Sequence, residues 1–178
     1  ENMINGIGMG VILTVVMLFG GIIVTILINI LLAPIIKTPK DIIDEILESM
    51  KLEKEDRFLD LGCADGRVVL EAYKKAKCRS FGFDISPIMI IIARTKRILS
   101  FPMNKDIVFD AENIFDVSLK DFSKIYCYLD ETSMEILGRR FKKYLKSGGE
   151  VFSYKYEIKS LKAKKKVKLS NGESLYIY

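Results

Sequence analysis

The chain contains no histidine and no tryptophan. Without an imidazole, Ser/His/Asp hydrolysis, Cys/His proteolysis, His-bearing zinc sites and histidine general bases are excluded. Cysteine is scarce: Cys63, Cys78 and Cys127 lie far apart and form no CxxC pair. They make no disulfide framework and no recognisable metal site, which fits a reducing compartment. Residues 2–36 lack charge altogether, and all 28 basic residues lie from Lys37 onward. Repeats and low-complexity linkers are also missing. What remains is a chain of 178 residues, 49% apolar and at +5 overall, enough for one packed domain with an appendage.

The appendage is read from the charge-free stretch. Ile7–Leu32 is almost wholly apolar, broken only by glycines, Thr14, Thr25 and Asn29. A helix crosses a bilayer with roughly 20 apolar residues, so this run predicts one tilted span. It is longer than the apolar part of a signal peptide and has no basic start. Pro34 is expected to end the helix. The outer flank carries Glu1, the inner one Lys37, Lys40 and Lys51. By the positive-inside rule this predicts a single-pass anchor over 1–36, with 37–178 on the cytoplasmic side.

From residue 37 the pattern alternates. Thr38-Pro39 looks like a cap followed by a first-turn proline, ahead of a helix with Ile42, Ile43, Ile46, Leu47 and Met50 on one face. Strands are expected at 57–61, 80–85, 106–110, 124–129 and 150–156, and helices at 68–77, from Ser86-Pro87 to about 100, and at 132–145. Asn171-Gly172 then joins two short strand-like runs, a hairpin signal. Strand and helix in alternation predict an α/β fold, a doubly wound and mostly parallel sheet with a reversed end.

The most informative stretch is Asp60-Leu61-Gly62-Cys63-Ala64-Asp65-Gly66-Arg67, where the first strand meets its helix. Glycines there let the backbone turn tightly against a ligand, and the helix start behind them favours a carboxylate or phosphate. Asp84, eighteen residues past Gly66, ends the second strand, where an acid accepts hydrogen bonds from ribose hydroxyls. A dinucleotide wants G-x-G-x-x-G, which is not present, and its pyrophosphate is repelled by Asp60 and Asp65. A ligand with an ammonium group is not. S-adenosylmethionine, with ammonium, carboxylate, ribose and adenine, suits this charge layout better.

These residues resemble the first two motifs of the class I, seven-stranded methyltransferases. Together with Lys37-Thr38-Pro39, Tyr126-Cys127-Tyr128-Leu129 and Phe152–Ile158, they resemble one subfamily, the archaeal protein-lysine methyltransferases and their membrane-anchored mitochondrial relatives. The resemblance covers residues 37–178. It implies a strand order of 3-2-1-4-5-7-6, with Ala64 in place of the usual middle glycine and Glu157–Ala163 too short for the usual last crossover helix. It implies further that Asp60 and Gly62, Cys63, Ala64, Asp65 and Gly66 hold the methionine end of S-adenosylmethionine, and Asp84 the ribose. Asn113 is then expected at the adenine amino group, and Ile85 and Ile114 on either side of the ring. Thr38 and Pro39 close over the cofactor, and Tyr128 lines the methyl-transfer channel.

The chemistry agrees with the composition. A lysine amine attacks only when neutral, and an aromatic channel lowers its ordinary pKa of about 10.4 by desolvation. Tyr126, Tyr128 and Tyr154 supply walls and hydroxyls, and Asp130 or Glu131 an orienting charge; no histidine base is needed. The fourth strand lacks the [Asn/Asp]-Pro-Pro-[Tyr/Phe] of adenine and glutamine enzymes, and Cys127 lacks the proline of cytosine-C5 enzymes. The expected activity is methylation of lysine side chains in membrane-associated proteins, with no nucleic-acid partner. Small-molecule or lipid methylation and a non-catalytic cofactor-binding module are the alternatives. The Lys159–Lys168 patch is read as a solvated sheet edge, as an attractor of anionic lipid or, without an RNA-binding motif to support it, as a nucleic-acid phosphate contact.

Overall fold

The computed structural model describes residues 2–32 and 37–178, with side chains described over 9–25 and 37–178. The chain divides into two compact units, Glu1–Ile35 and Ile36–Tyr178. In the first, α1 runs Asn2–Leu32. Its large apolar side chains from Met9 to Val24 are 45–76% exposed. Thr14 and Thr25 donate back to the carbonyls of Gly10 and Gly21, so these hydroxyls need no solvent. The expectation of a transmembrane span meets a correction here. Among the described residues no helix is long and apolar enough to cross a membrane. The described side chains, Met9 to Thr25, cover less than the roughly 20 residues that a bilayer requires. Pro34 lies outside the described residues.

In the second unit, α2 (Lys40–Met50) precedes β1 (Arg57–Leu61), α3 (Arg67–Ala76), β2 (Arg79–Asp84), α4 (Pro87–Ser100) and β3 (Ile107–Ala111). There follow β4 (Lys124–Cys127), α5 (Glu131–Lys146), β5 (Glu150–Tyr154), β6 (Lys165–Lys168) and β7 (Ser174–Ile177). The seven strands form one sheet in the order β3-β2-β1-β4-β5-β7-β6. The first five are parallel, while β7 is antiparallel to β5 and β6, so the sheet is mixed.

Alternation along each strand sorts two cores. Phe58, Tyr126, Phe152 and Tyr154 pack with Ile42, Ile46, Val69 and Ile90 from α2, α3 and α4 on one face. Leu59, Leu61, Ile125 and Val151 pack with Met134, Leu137 and Phe141 of α5 on the other. Each such side chain contributes about 1.5–3 kcal/mol of burial, which fixes the register against a one-residue slip. The short Glu157–Ala163 segment forms no helix. It lies on α5, where Gly138 admits Ser160: an added Cβ would stand 2.5 Å from its Oγ. The Tyr178 hydroxyl ties it down by accepting from the Ile158 amide at 2.7 Å.

Two helix starts differ in mechanism. Ser86 caps α4 as expected, accepting from the Met89 amide, with Pro87 in the first turn. Thr38 does not cap α2. Pro39 occupies that position without a side-chain bond, and the Thr38 hydroxyl is bonded to Tyr126 instead. β6, at the sheet edge, exposes Lys165, Lys166 and Lys168 and keeps only Val167 half-buried. That is the lysine-blocked edge the sequence suggested.

Candidate active site

β1 ends at Leu61, and the chain turns back on itself through Gly62 and Gly66 at φ 82° and 74°. Both amides at the start of the turn, Gly62 and Cys63, donate to the Phe83 carbonyl at 2.8 and 3.0 Å. There is no room for larger residues. A Cβ on Gly62 would stand 2.6 Å from Leu129, and one on Gly66 2.6 Å from the Phe109 ring. Ala64 also adopts a left-handed conformation, φ 46°. A glycine takes that conformation freely, whereas the alanine methyl group carries a steric cost of roughly 1–2 kcal/mol.

Asp84 holds the turn from the neighbouring strand. Its two carboxylate oxygens accept from the Ala64 amide at 2.9 Å and the Ser86 amide at 2.8 Å. Each oxygen keeps a lone pair for a further donor. Asp60, on β1 between Gly82 and Tyr126, is 3% exposed, borders the cavity at this turn and makes no ion pair among the described residues. Burial, reinforced by the nearby Asp84 and Asp65 charges, pushes its carboxyl well above the ordinary range. Asp65 is its opposite. Burial alone would raise it, but hydrogen bonds from Arg67 and Lys96 outweigh that and hold it well below the ordinary range. Arg67 grips it with two nitrogens at 2.7 and 2.9 Å, Lys96 lies at 2.8 Å and Lys37 at 3.5 Å.

A small cavity opens between these groups. It brings together Thr38, Asp60, Gly62, Cys63, Ala64, Asp65 and Tyr128 from the expected set, with Lys37, Arg67, Val68 and Tyr126. Gly66 stands just behind, capping α3. Pro39, Asp84, Ile85, Asn113 and Ile114 are not in the lining. Ile85, Asn113 and Ile114 follow the ends of the next two strands; Ile85 is 74% exposed. Asn113 is exposed and donates to Asp116 at 2.7 Å, while its oxygen accepts from the Phe115 amide. Arg140 of α5 fixes this loop by donating to the carbonyls of Ile114, Phe115 and Val117.

At the far wall, β4 and β5 stop earlier than expected, so Tyr128 and Tyr156 leave the sheet at its C-terminal edge. Tyr128 meets Tyr154 edge-on at 4.7 Å and stacks on Tyr156 at 6.3 Å. Of the three expected hydroxyls only that of Tyr128 is unengaged among the described residues: Tyr126 bonds Thr38 at 2.8 Å, and Tyr154 accepts from Asn171 at 2.9 Å. Burial raises the Tyr128 phenol, so it stays protonated at neutral pH. Asp130 is not available to orient an ammonium: it caps α5, accepting from the Ser133 amide and hydroxyl. Glu131 faces Lys159 at 3.4 Å. Cys63 and Cys127 are buried and their thiols are pushed far up, by burial first, which excludes a thiolate nucleophile. Among the described residues no cluster of acids and cysteines is arranged to hold a metal.

Sequence reasoning missed the cations of Lys37 and Lys96 and the role of Tyr156. Arg67 stood inside the glycine motif, but nothing in the sequence ties Lys96 to Asp65, thirty-one residues away.

The amino-acid end of S-adenosylmethionine fits these residues: the buried Asp60 carboxyl borders the cavity without a cation beside it, which suits an ammonium, and Lys37 and Arg67 border the same space. Comparisons agree. A protein-lysine N-methyltransferase of Saccharolobus islandicus (strain REY15A) is 26% identical over 153 residues, covering 82% of this chain and 92% of that protein. An RNA methyltransferase from Salinibacter ruber, solved with S-adenosyl-L-homocysteine, superposes with a TM-score of 0.71 at 22% identity, covering 80% of this chain and 92% of that one. The ribosomal protein L11 methylase of Lactobacillus delbrueckii subsp. bulgaricus gives 0.63 at 19% identity, over 77% and 76%. At these identities the two structures show the fold alone. Residues 60–165, more than half of the sequence, match the ANTKMT methyltransferase domain; the chain belongs to that family and is a class I S-adenosylmethionine-dependent methyltransferase.

Proposed function

We propose that the chain methylates lysine side chains of proteins. The observation that carries this is the Tyr128 wall: one unengaged phenol, flanked by Tyr154 and Tyr156, borders the cavity of the glycine turn. The archaeal relative, named a protein-lysine N-methyltransferase and aligned over most of both chains, supports the same substrate class.

The residues divide the work. Asp60 accepts the ammonium of the cofactor's amino-acid end, and Lys37 and Arg67 supply positive charge for its carboxylate. Asp84, oriented by the Ala64 and Ser86 amides, accepts from ribose hydroxyls. S-adenosylmethionine, when bound, supplies a methyl group on a positively charged sulfur. The aromatic wall excludes water from the incoming lysine and so favours its neutral form. The Tyr128 hydroxyl accepts a hydrogen bond from an N–H of the amine and so aligns the free lone pair, a matter of orientation rather than of base strength. The proton lost from nitrogen passes to solvent.

A membrane-associated substrate and a cytoplasmic catalytic domain belong to the same proposal. They rest on the charge-free residues 2–36 and on the exposed apolar side chains of α1. Incubation with labelled S-adenosylmethionine and membrane extracts, followed by peptide mass spectrometry, tests both parts. Methyl-lysine in membrane proteins is expected. Label confined to lipid or small molecules would overturn the lysine assignment, and label confined to soluble proteins would overturn the membrane part.

A further inference from the structure

α4 has two apolar faces. Met89, Ile90 and Ala93 pack into the core. At 3.6 residues per turn, Ile88, Ile91, Ile92, Thr95, Ile98 and Leu99 share the opposite side. There Ile91 is 61%, Ile98 57% and Leu99 78% exposed, and Met103, just past the helix, is 96% exposed. A core-facing helix needs only one such stripe, and the second one has no partner among the described residues of this unit.

The charges on α4 itself are of one sign. α4 carries Arg94, Lys96 and Arg97 and no acid. Arg94 is paired with Asp110 and Lys96 with Asp65, while the nearby Asp106 faces Arg79. Arg97 bonds only the Asn104 carbonyl, Lys77 stands over the Tyr73 and Phe101 rings, and Lys105 is exposed. Those three cations have no acidic partner among the described residues. An apolar face with unpaired Lys and Arg gathered at its C-terminal end, around Phe101–Lys105, matches a helix lying in a lipid interface.

We propose that this outer face of α4, with Met103, docks on an anionic lipid surface. A second copy of the chain matches the face less well, because it would bring the same cations against each other. Anionic headgroups supply the charge match at Lys77, Arg97 and Lys105. The proposal does not depend on methyl transfer.

A spin label at T95C in the full chain tests it. The three native cysteines are buried, so the label goes to the new one. Collision with oxygen and with a water-soluble nickel complex is compared in phosphatidylcholine vesicles with and without phosphatidylserine. The oxygen-to-nickel ratio is expected to rise several-fold with phosphatidylserine. It should fall back at high salt, which screens the rim charges, and in the I91E/L99E background. Those two side chains are exposed, so that background should melt like the parent. A ratio indifferent to phosphatidylserine and salt would overturn the proposal. So would dipolar broadening between labels, which would assign the face to a second copy.

Discussion

Replacing Asp60 by Asn should weaken the protein's grip on its cofactor and strengthen the protein itself. In the free chain the Asp60 carboxyl is buried, makes no ion pair among the described residues and is repelled by Asp84 and Asp65. Burial first, and those charges second, raise its pKa, so the folded state retains a proton that the unfolded chain releases from about pH 3.8. The folded state then binds more protons, and stability falls as pH rises from that point to the raised value. An amide removes this loss. D60N should therefore melt higher than the parent, by a margin that widens with pH across the same window. Binding changes the other way. The ammonium needs an ionised Asp60, and a charge-assisted hydrogen bond contributes about 1.5–3 kcal/mol, so the dissociation constant should rise by roughly 10- to 150-fold. In the parent, affinity should climb with pH until Asp60 is ionised, then decline near pH 8 as the α-amine loses its proton. D60N should lack the climb. Titration calorimetry at several pH values and thermal melts measure both quantities. A variant that binds as well as the parent, or that loses affinity and stability together, would refute the role given to Asp60.

Other substitutions separate the remaining parts of the site. D84A should lose affinity and stability together, because the same oxygens that face the ribose also hold Ala64 and Ser86; melts and calorimetry on one sample show whether the two losses coincide. D65N removes a carboxylate set among three partly exposed cations and should cost roughly 2–3 kcal/mol in urea unfolding at neutral pH. Because Asp65 is held low, its contribution is complete above about pH 3.8 and vanishes as pH falls further, so variant and parent should converge in strong acid. A64G relieves the left-handed alanine but loosens the unfolded chain, for a net gain of about 0.5–1 kcal/mol; a lower melting temperature would contradict this. Y128F should leave cofactor affinity intact and lower the methylation rate by roughly 2- to 12-fold, the worth of one hydrogen bond.

The local features were legible in the sequence and the convergent ones were not. The glycine turn, Asp84 and the Ser86-Pro87 cap are short-range patterns whose chemistry is complete within a few residues or at a fixed spacing. Thr38-Pro39 has the same form as Ser86-Pro87, yet its threonine turns to Tyr126, eighty-eight residues on. Tertiary bonding outweighed the local cap. Asp130 reversed that outcome, since a cap took a residue expected at the substrate. The ion network at Asp65 unites three elements and leaves no sequence signal. β4 and β5 end early, which moves Tyr128 and Tyr156 out of the sheet and Tyr128 into the cavity wall. In α4 the run of isoleucines marks a helix but does not say which arc is buried, so the outward face emerged only from the packing.

The central claim is tested most directly by a crystal structure of the chain with S-adenosylhomocysteine. The amino group should lie within hydrogen-bond distance of Asp60 and the ribose hydroxyls against Asp84, with the sulfur turned toward Tyr128. A nucleoside seated elsewhere on the sheet, or an Asp60 still without a cationic neighbour, would contradict the account.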